Sequence, residues 1–311
     1  MQTIHADIRA LPVTPSLLGE SPVWWPGQGA LWWTDIPGHA LHRWHPATAR
    51  HDHWDFDTEI GSFAPLASGA LLLALRSGLE CFDPASGARR RLAAVPYDER
   101  TQRFNDGKAD AQGRFWVATL CEPRQPPRAA LYRWGPTSQA GGGLLQVDDG
   151  LSVGNGIAWS PDGRTMYLSD TYAHTIWAHD FDADAGMPTR RRVLAQFPRK
   201  PAMPPGAASP DGYGGRPDGA AVDAEGCLWV AMFEGQRLLR LSPAGEILAE
   251  LPLPVRCPTM PCFGGPDLKT LYITTARDHR PAAELAAQPL AGCVLSLDVE
   301  VPGLPVNFAR E

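Results

Sequence analysis

The sequence predicts an all-β chain: a six-bladed β-propeller with four-stranded antiparallel blades, in a single domain over residues 1–311. Three observations carry this expectation. One strand pattern recurs six times, each recurrence follows a tight turn, and the composition holds 31 Gly, 31 Pro and 11 Trp. Gly and Pro set turn geometry and Trp fills wide sheet cores, so this mix suits many short strands rather than long helices.

The recurrences run in order along the chain. The first is Ala30-Leu31-Trp32-Trp33-Thr34-Asp35, after the turn Pro26-Gly27-Gln28-Gly29. The second is Ala70-Leu71-Leu72-Leu73-Ala74-Leu75, after Ala67-Ser68-Gly69. The third, Arg114-Phe115-Trp116-Val117-Ala118-Thr119, follows Asp110-Ala111-Gln112-Gly113, and the fourth, Thr165-Met166-Tyr167-Leu168-Ser169-Asp170, follows Pro161-Asp162-Gly163. Cys227-Leu228-Trp229-Val230-Ala231-Met232 after Asp223-Ala224-Glu225-Gly226 is the fifth. Thr270-Leu271-Tyr272-Ile273-Thr274-Thr275 after Pro266-Asp267-Leu268-Lys269 is the sixth. Most lead into a further alternating strand, such as Ala130–Trp134 or Arg237–Leu241. A β-sandwich rarely repeats itself sixfold, whereas a propeller must. The one helix-like stretch is Pro281 to Ala287.

Lys+Arg 28 against Asp+Glu 34 gives a formal net charge of −6, and the basic runs Arg89–Arg91 and Arg190–Arg192 are short. Neither a nucleic-acid groove nor an anionic membrane surface is therefore expected as a partner. Apolar runs such as Ala70–Leu75 are far shorter than a membrane span. Six cysteines without CxxC spacing read as reduced, structural thiols. The first residues lack a basic segment followed by an apolar one, so no signal peptide is expected and the cytoplasm is the default location. No protein partner is evident.

Alignment of the repeats on their turns exposes a candidate site. Eight residues before Gly113, Gly163 and Gly226 stand Asn105, Asn155 and Asp218, each followed by Gly at once or after one residue. Glu20, in Gly19-Glu20-Ser21-Pro22, holds the corresponding place in the first repeat. This is where the chain enters the innermost strand of a blade, beside the central channel. Any single Asx-Gly is more simply a turn former. Four oxygen-bearing side chains at matched positions instead suit a hard divalent cation, which would also relieve the repulsion between Glu20 and Asp218. Arg103 shares a face with the Pro-rich loop 120–128, which carries Glu122, and with the Gly/Pro segment 198–217. Its guanidinium is shaped to fork onto substrate oxygens.

Leu18-Gly19-Glu20-Ser21-Pro22-Val23-Trp24, Arg103-Phe104-Asn105-Asp106-Gly107-Lys108, Gly154–Asp162 and Pro217-Asp218-Gly219 resemble the SMP-30/gluconolactonase/regucalcin family in family order over nearly the whole chain. Cys262–Asp267 through Arg277 is further similar to its bacterial sugar-lactonase branch. The resemblance implies a propeller that hydrolyses aldonolactones with one divalent metal: Ca²⁺, Zn²⁺, Mn²⁺, Mg²⁺ or Fe²⁺. The substrate would be a 1,4- or 1,5-lactone, such as xylono-, arabino-, galactono- or gluconolactone, within sugar catabolism. It implies metal ligation by Glu20, Asn155 and Asp218, substrate contact by Arg103 and Asn105, and a general-base role for Asp218. The acidic residue that the family carries near the sugar corresponds to Glu122, followed here by Pro123 where relatives often have a second acid.

Other chemistries have less in the sequence. Gly150-Leu151-Ser152-Val153-Gly154 matches Gly-x-Ser-x-Gly, but no helix pattern follows it, as a nucleophile elbow requires. His39, His42, His45, His51 and His53 fall on the outer strands and turn of the first blade, away from the axis, which disfavours a zinc site. Asp170-Thr171-Tyr172 and His174 either border the pocket or pack the blade. The alternatives are a non-catalytic metal- or protein-binding propeller and a propeller esterase acting on other esters.

Overall fold

Each recurring pattern forms the second strand of an antiparallel sheet, and six such sheets stand in a ring, in a computed structural model that describes residues 1–122, 124, 126–135, 143–202, 210 and 212–311. The inner strands are Gly19–Trp25, Ile60–Pro65, Gln102–Ala109, Gly154–Trp159, Arg216–Val222 and Pro258–Gly264. They touch in cyclic order, the last against the first. The fold is thus the six-bladed propeller expected. The second strands are sandwiched on both faces by neighbouring blades, and Leu71 through Leu75 are fully buried. Those strands therefore read as continuous apolar runs rather than as an alternation.

Blades 1 to 4 each take four successive strands, but blades 5 and 6 borrow from the start of the chain. The outermost strand of blade 6 is Arg9–Ala10, paired antiparallel with Leu295–Asp298. Gln2–Thr3 adds a fifth, parallel strand to blade 5 against Ile247–Pro252. The chain end cannot supply the missing strand of blade 6, because Gly303 and Ala309 bridge to Asp223 and Leu66 in blades 5 and 2. The expected helix is present as Ala282–Ala287, between the second and third strands of blade 6.

Two blades use the same Asp-x-x-Gly turn to lock a tryptophan. Asp110 accepts bonds from the backbone N–H of Gln112 and Arg114 and from Trp116 Nε1 at 2.9 Å. Asp223 does the same for Glu225, Cys227 and Trp229 Nε1 at 2.9 Å. A carboxylate spent on its own turn and on an indole N–H fixes the hairpin and satisfies the buried ring at once. All six cysteines are free thiols. His42, His51 and His53 stack beside Trp33 on the outer strands of blade 1, with burial first and the neighbouring imidazoles second pushing His42 down to about 4.

Candidate active site

Every inner strand breaks register with its neighbour at the same level. The breaks lie between Glu20 and Val23, Ile60 and Ser62, Phe104 and Gly107, Asn155 and Ala158, Pro217 and Ala220, and Pro258 and Met260. A β-bulge re-aims the side chains around it. Here the bulges turn Glu20, Asn105, Asp106, Asn155 and Asp218 toward the axis, and all five are at least nine-tenths buried. Left-handed backbone accompanies two of the bulges, at Ser21 (φ 49°) and Gly156 (φ 58°).

Two of these residues are held from behind by a matched device. Asp35, ending the second strand of blade 1, accepts bonds from Leu17 N (2.9 Å) and Leu18 N (3.0 Å), just before Glu20. Asp170, ending the second strand of blade 4, accepts Ser152 N (2.9 Å) and Val153 N (3.2 Å), just before Asn155. Asp170 also takes Ala173 N at 3.2 Å. Bonds to a charged acceptor are the stronger kind, so removing this one should loosen Asn155. Asp170→Ala is expected to cost about 2–3 kcal/mol of stability. A smaller loss in urea titration, with full activity, would contradict this clamp.

A directed chain of hydrogen bonds orients the amides. Arg103 Nη1 donates to Asn105 Oδ1 at 2.8 Å and to the Phe104 carbonyl at 2.9 Å. Asn105 Nδ2, its orientation thereby fixed, donates to Asn155 Oδ1 (2.8 Å) and to the Gly154 carbonyl (3.0 Å). Asn155 Nδ2 donates to Thr171 Oγ1 at 2.7 Å. Thr171 therefore borders the site, while neighbouring Asp170 serves the turn. The Asn155 amide oxygen keeps a second lone pair for a further partner.

The carboxylates are under electrostatic stress. Burial, then the charges of Asp218 and Asp106, holds Glu20 well above the usual carboxylate range. Asp218 is pushed up to about 8, chiefly by burial, with Asp106 adding and Arg216, Asn155 and Arg103 opposing. Asp106 is raised mainly by burial; its Oδ2 accepts Ile157 N at 2.9 Å, and its Oδ1 has no hydrogen-bond partner among the described residues. Below it, Lys108 Nζ reaches the Ala220 carbonyl of blade 5 at 2.9 Å and floors the site. The cavity beyond, about 400 Å³ and lined by Trp24, Lys108, Trp159 and Cys262, opens at the opposite end and is not lined by Glu20, Asp106, Asn155 or Asp218.

Among the described residues no group of three or more His, Cys, Asp or Glu side chains is arranged to hold a metal ion. The axial set differs in kind: two carboxylates and an amide oxygen, with a third carboxylate oxygen lacking a partner. Hard oxygen donors carrying surplus negative charge fit a divalent cation of the Ca²⁺, Mg²⁺ or Mn²⁺ type. Glu20, Asn155 and Asp218 would hold it.

The structure brings Arg103 to the same site, buried, and desolvation pushes its guanidinium down to about 10. Glu122 stands further out, half-exposed, with its carboxylate 3.8 Å from Arg76 Nη2. Its neighbour Pro123 and residues 203–209 and 211 of the 198–217 segment lie outside the described residues. The sequence reading missed Asp106 as a buried group and the Arg76–Glu59 ion pair beside Arg103. Asp106 had a signal, the Asn-Asp-Gly triplet, but such a triplet also makes turns. The ion pair joins residues 17 apart and has no periodic signature.

Known proteins resemble the chain over nearly its whole length. A family model described as "SMP-30/Gluconolactonase/LRE-like region" matches residues 18–277. The chain is 42% identical to the 6-deoxy-6-sulfogluconolactonase of Pseudomonas putida, over 96% of this chain and 97% of that one. It is 33% identical to the regucalcin of Oryctolagus cuniculus, over 92% and 93% of the two chains. A crystal structure of the calcium-binding protein regucalcin from Agrobacterium tumefaciens superposes with a TM-score of 0.90 at 28% identity, covering all of both chains.

Proposed function

Since the chain belongs to the SMP-30/gluconolactonase/LRE-like family, we propose that it is a divalent-metal-dependent sugar lactonase whose reaction centre is the axial cluster. The observation that carries this reading is the meeting of Glu20, Asn155 and Asp218 on three bulges, with Arg103 and Asn105 above them. Lactonase-named relatives support the substrate class, and the calcium-binding regucalcin supports a divalent cation. The proposal takes one such cation as cofactor and a small-molecule lactone as partner, in the cytoplasm.

A divalent cation held by Glu20, Asn155 and Asp218 would supply Lewis acidity to the lactone carbonyl and keep both carboxylates ionised. Arg103 and Asn105 orient the sugar oxygens, each already fixed by the bond chain to Asn155. Asp218 takes a proton from the attacking water as its oxygen bonds to the carbonyl carbon. The ring C–O bond then breaks, the ring oxygen takes the proton held by Asp218 and leaves as a hydroxyl, and the carboxylic acid so formed ionises as an aldonate.

Proton release from a panel of aldonolactones, with chelator-stripped protein and single metals added back, tests the reading. The sulfonated gluconolactone named for the relative at 42% identity belongs in the panel. Restored hydrolysis above the spontaneous rate is expected. No acceleration with any metal or lactone would move the assignment to a non-catalytic propeller.

The raised carboxylates add a pH prediction. Both groups bind protons more tightly folded than unfolded, so the stripped protein is most stable below about pH 4 as far as these groups are concerned. It loses that contribution as pH rises through the folded value of Asp218, about 8. Metal capture at pH 7 must therefore expel protons. Calorimetry in buffers of different ionisation enthalpy should show proton release, and apparent affinity should climb with pH up to about 8. Binding without proton release would contradict ligation by this carboxylate pair.

A further inference from the structure

Beside the axial site, at the end of the ring where Arg103 stands, four cations meet two carboxylates. Glu234, in the turn after the second strand of blade 5, receives Lys200 Nζ at 2.7 Å, Arg280 Nη1 at 2.9 Å and Arg216 Nη2 at 3.3 Å. Glu284, in the short helix of blade 6, is forked by Arg280 at 2.8 and 2.9 Å and lies 3.6 Å from Arg256 Nε. Among the described residues, Lys200, Arg216, Arg256 and Arg280 against Glu234 and Glu284 leave two positive charges over. The next carboxylate acting on Arg216 is Asp218, two residues along the same strand. The lactonase reading gives that carboxylate to a cation, so among the described residues Arg216 then has no second anion of its own. Across the site Arg103 hydrogen-bonds, among the described residues, to neutral oxygens, the Phe104 carbonyl and the Asn105 amide, while the Glu59 and Glu122 carboxylates act on it through space.

Half-buried cations without matching anions are costly in a region walled by protein. In a chain of formal net charge −6, a local surplus of positive charge at the mouth marks what enters it. A plain aldonolactone offers only hydroxyls and an ester, which the amides and Thr171 can serve. A substrate bringing its own anion removes the mismatch. Arg216 is suited to receive it: Phe233 lies under its guanidinium at 5.2 Å and fixes the plane, and its Nε is buried without a hydrogen-bond partner among the described residues. Lys200 stands on the same Glu234 and adds a point charge.

Resting on the lactonase reading, we propose that the substrate is a sugar lactone bearing a tetrahedral anionic group, sulfonate or phosphate, on the carbon remote from the ring carbonyl. Arg216 and Lys200 receive that group and set specificity.

The test compares kcat/KM for glucono-1,5-lactone, its 6-phospho derivative and its 6-deoxy-6-sulfo derivative, on the full chain with metal. The wild-type protein is expected to favour one of the two anionic lactones by roughly tenfold or more, and which one names the source of the anion. Lys200→Met and Arg216→Gln should each lower that preference roughly tenfold, mainly through KM, and Lys200→Arg should retain it. Wild-type protein alone gives an independent readout, so a variant that misfolds leaves the proposal open to refutation. Raising salt from about 20 to 200 mM should depress turnover of the anionic lactone far more than that of the neutral one. Equal or better use of the neutral lactone, equal losses on all three in the variants, or equal salt sensitivity would overturn this inference alone. Hydrolysis of none of the three would overturn the lactonase reading itself.

Discussion

Asp218→Asn is expected to lower kcat roughly 10³-fold, the usual worth of a positioned general base, while the ring stays folded. The amide preserves shape and can still accept hydrogen bonds, but it cannot take a proton from water and offers the cation less charge. The same change has an opposite effect on stability. In the stripped wild-type protein Asp218 and Glu20 are both buried acids: the Asp218 charge raises the proton affinity of Glu20, and burial with the Asp106 charge raises that of Asp218. Removing one relieves that repulsion, so stripped Asp218→Asn should melt above stripped wild type at pH 8, where the penalty is largest. Added metal should raise the melting temperature of wild type and move the variant little. A variant that retains turnover, or melts lower without metal than wild type does, would remove Asp218 from both roles.

Gly156→Ala is the second large effect, and it acts through the backbone. Gly156 sits in the bulge after Asn155 at φ +58°, where a side chain costs about 1 kcal/mol or more. A Cβ built there would lie 2.4 Å from Ser169 Oγ and 2.8 Å from the Asp218 carbonyl oxygen. The hydroxyl can rotate away, but the carbonyl belongs to the next inner strand and can move only with Asp218 itself. The variant should therefore lose about 2–4 kcal/mol in urea titration, in the range of overpacked sites, together with most of its kcat. Loss of stability with full activity per folded molecule would mean that the two inner strands are not coupled at this point.

The architecture and four of the five axial side chains were legible because both repeat with the same turn. Once Gly113, Gly163 and Gly226 were aligned, Asn105, Asn155 and Asp218 fell into one row, and Glu20 joined them by its place before the first repeat. What the row could not reveal is why those side chains face the axis; the bulge is a register shift between strands, and register is a property of two segments. Arg9–Ala10 escaped notice as the last strand of blade 6 because two residues carry no period. Asp106 hid within a triplet that also makes turns. The Glu234 cluster unites residues 34 and 46 positions apart, drawn from three loops, so only the closed ring assembles it.

The pairing of Arg9–Ala10 with Leu295–Asp298 also sets a timetable for biosynthesis. A nascent chain can complete blades 1 to 4 one after another as it leaves the ribosome, each from local hairpins. It remains an open arc, with the flank of blade 1 uncovered, until the inner strand of blade 6 emerges and fills the gap beside Gly19–Trp25. Glu20 sits on that flank and meets Asp218 across the axis only in the closed circle. On the lactonase reading, a cation held between Glu20 and Asp218 would stabilise finished rings and pass over unfinished arcs.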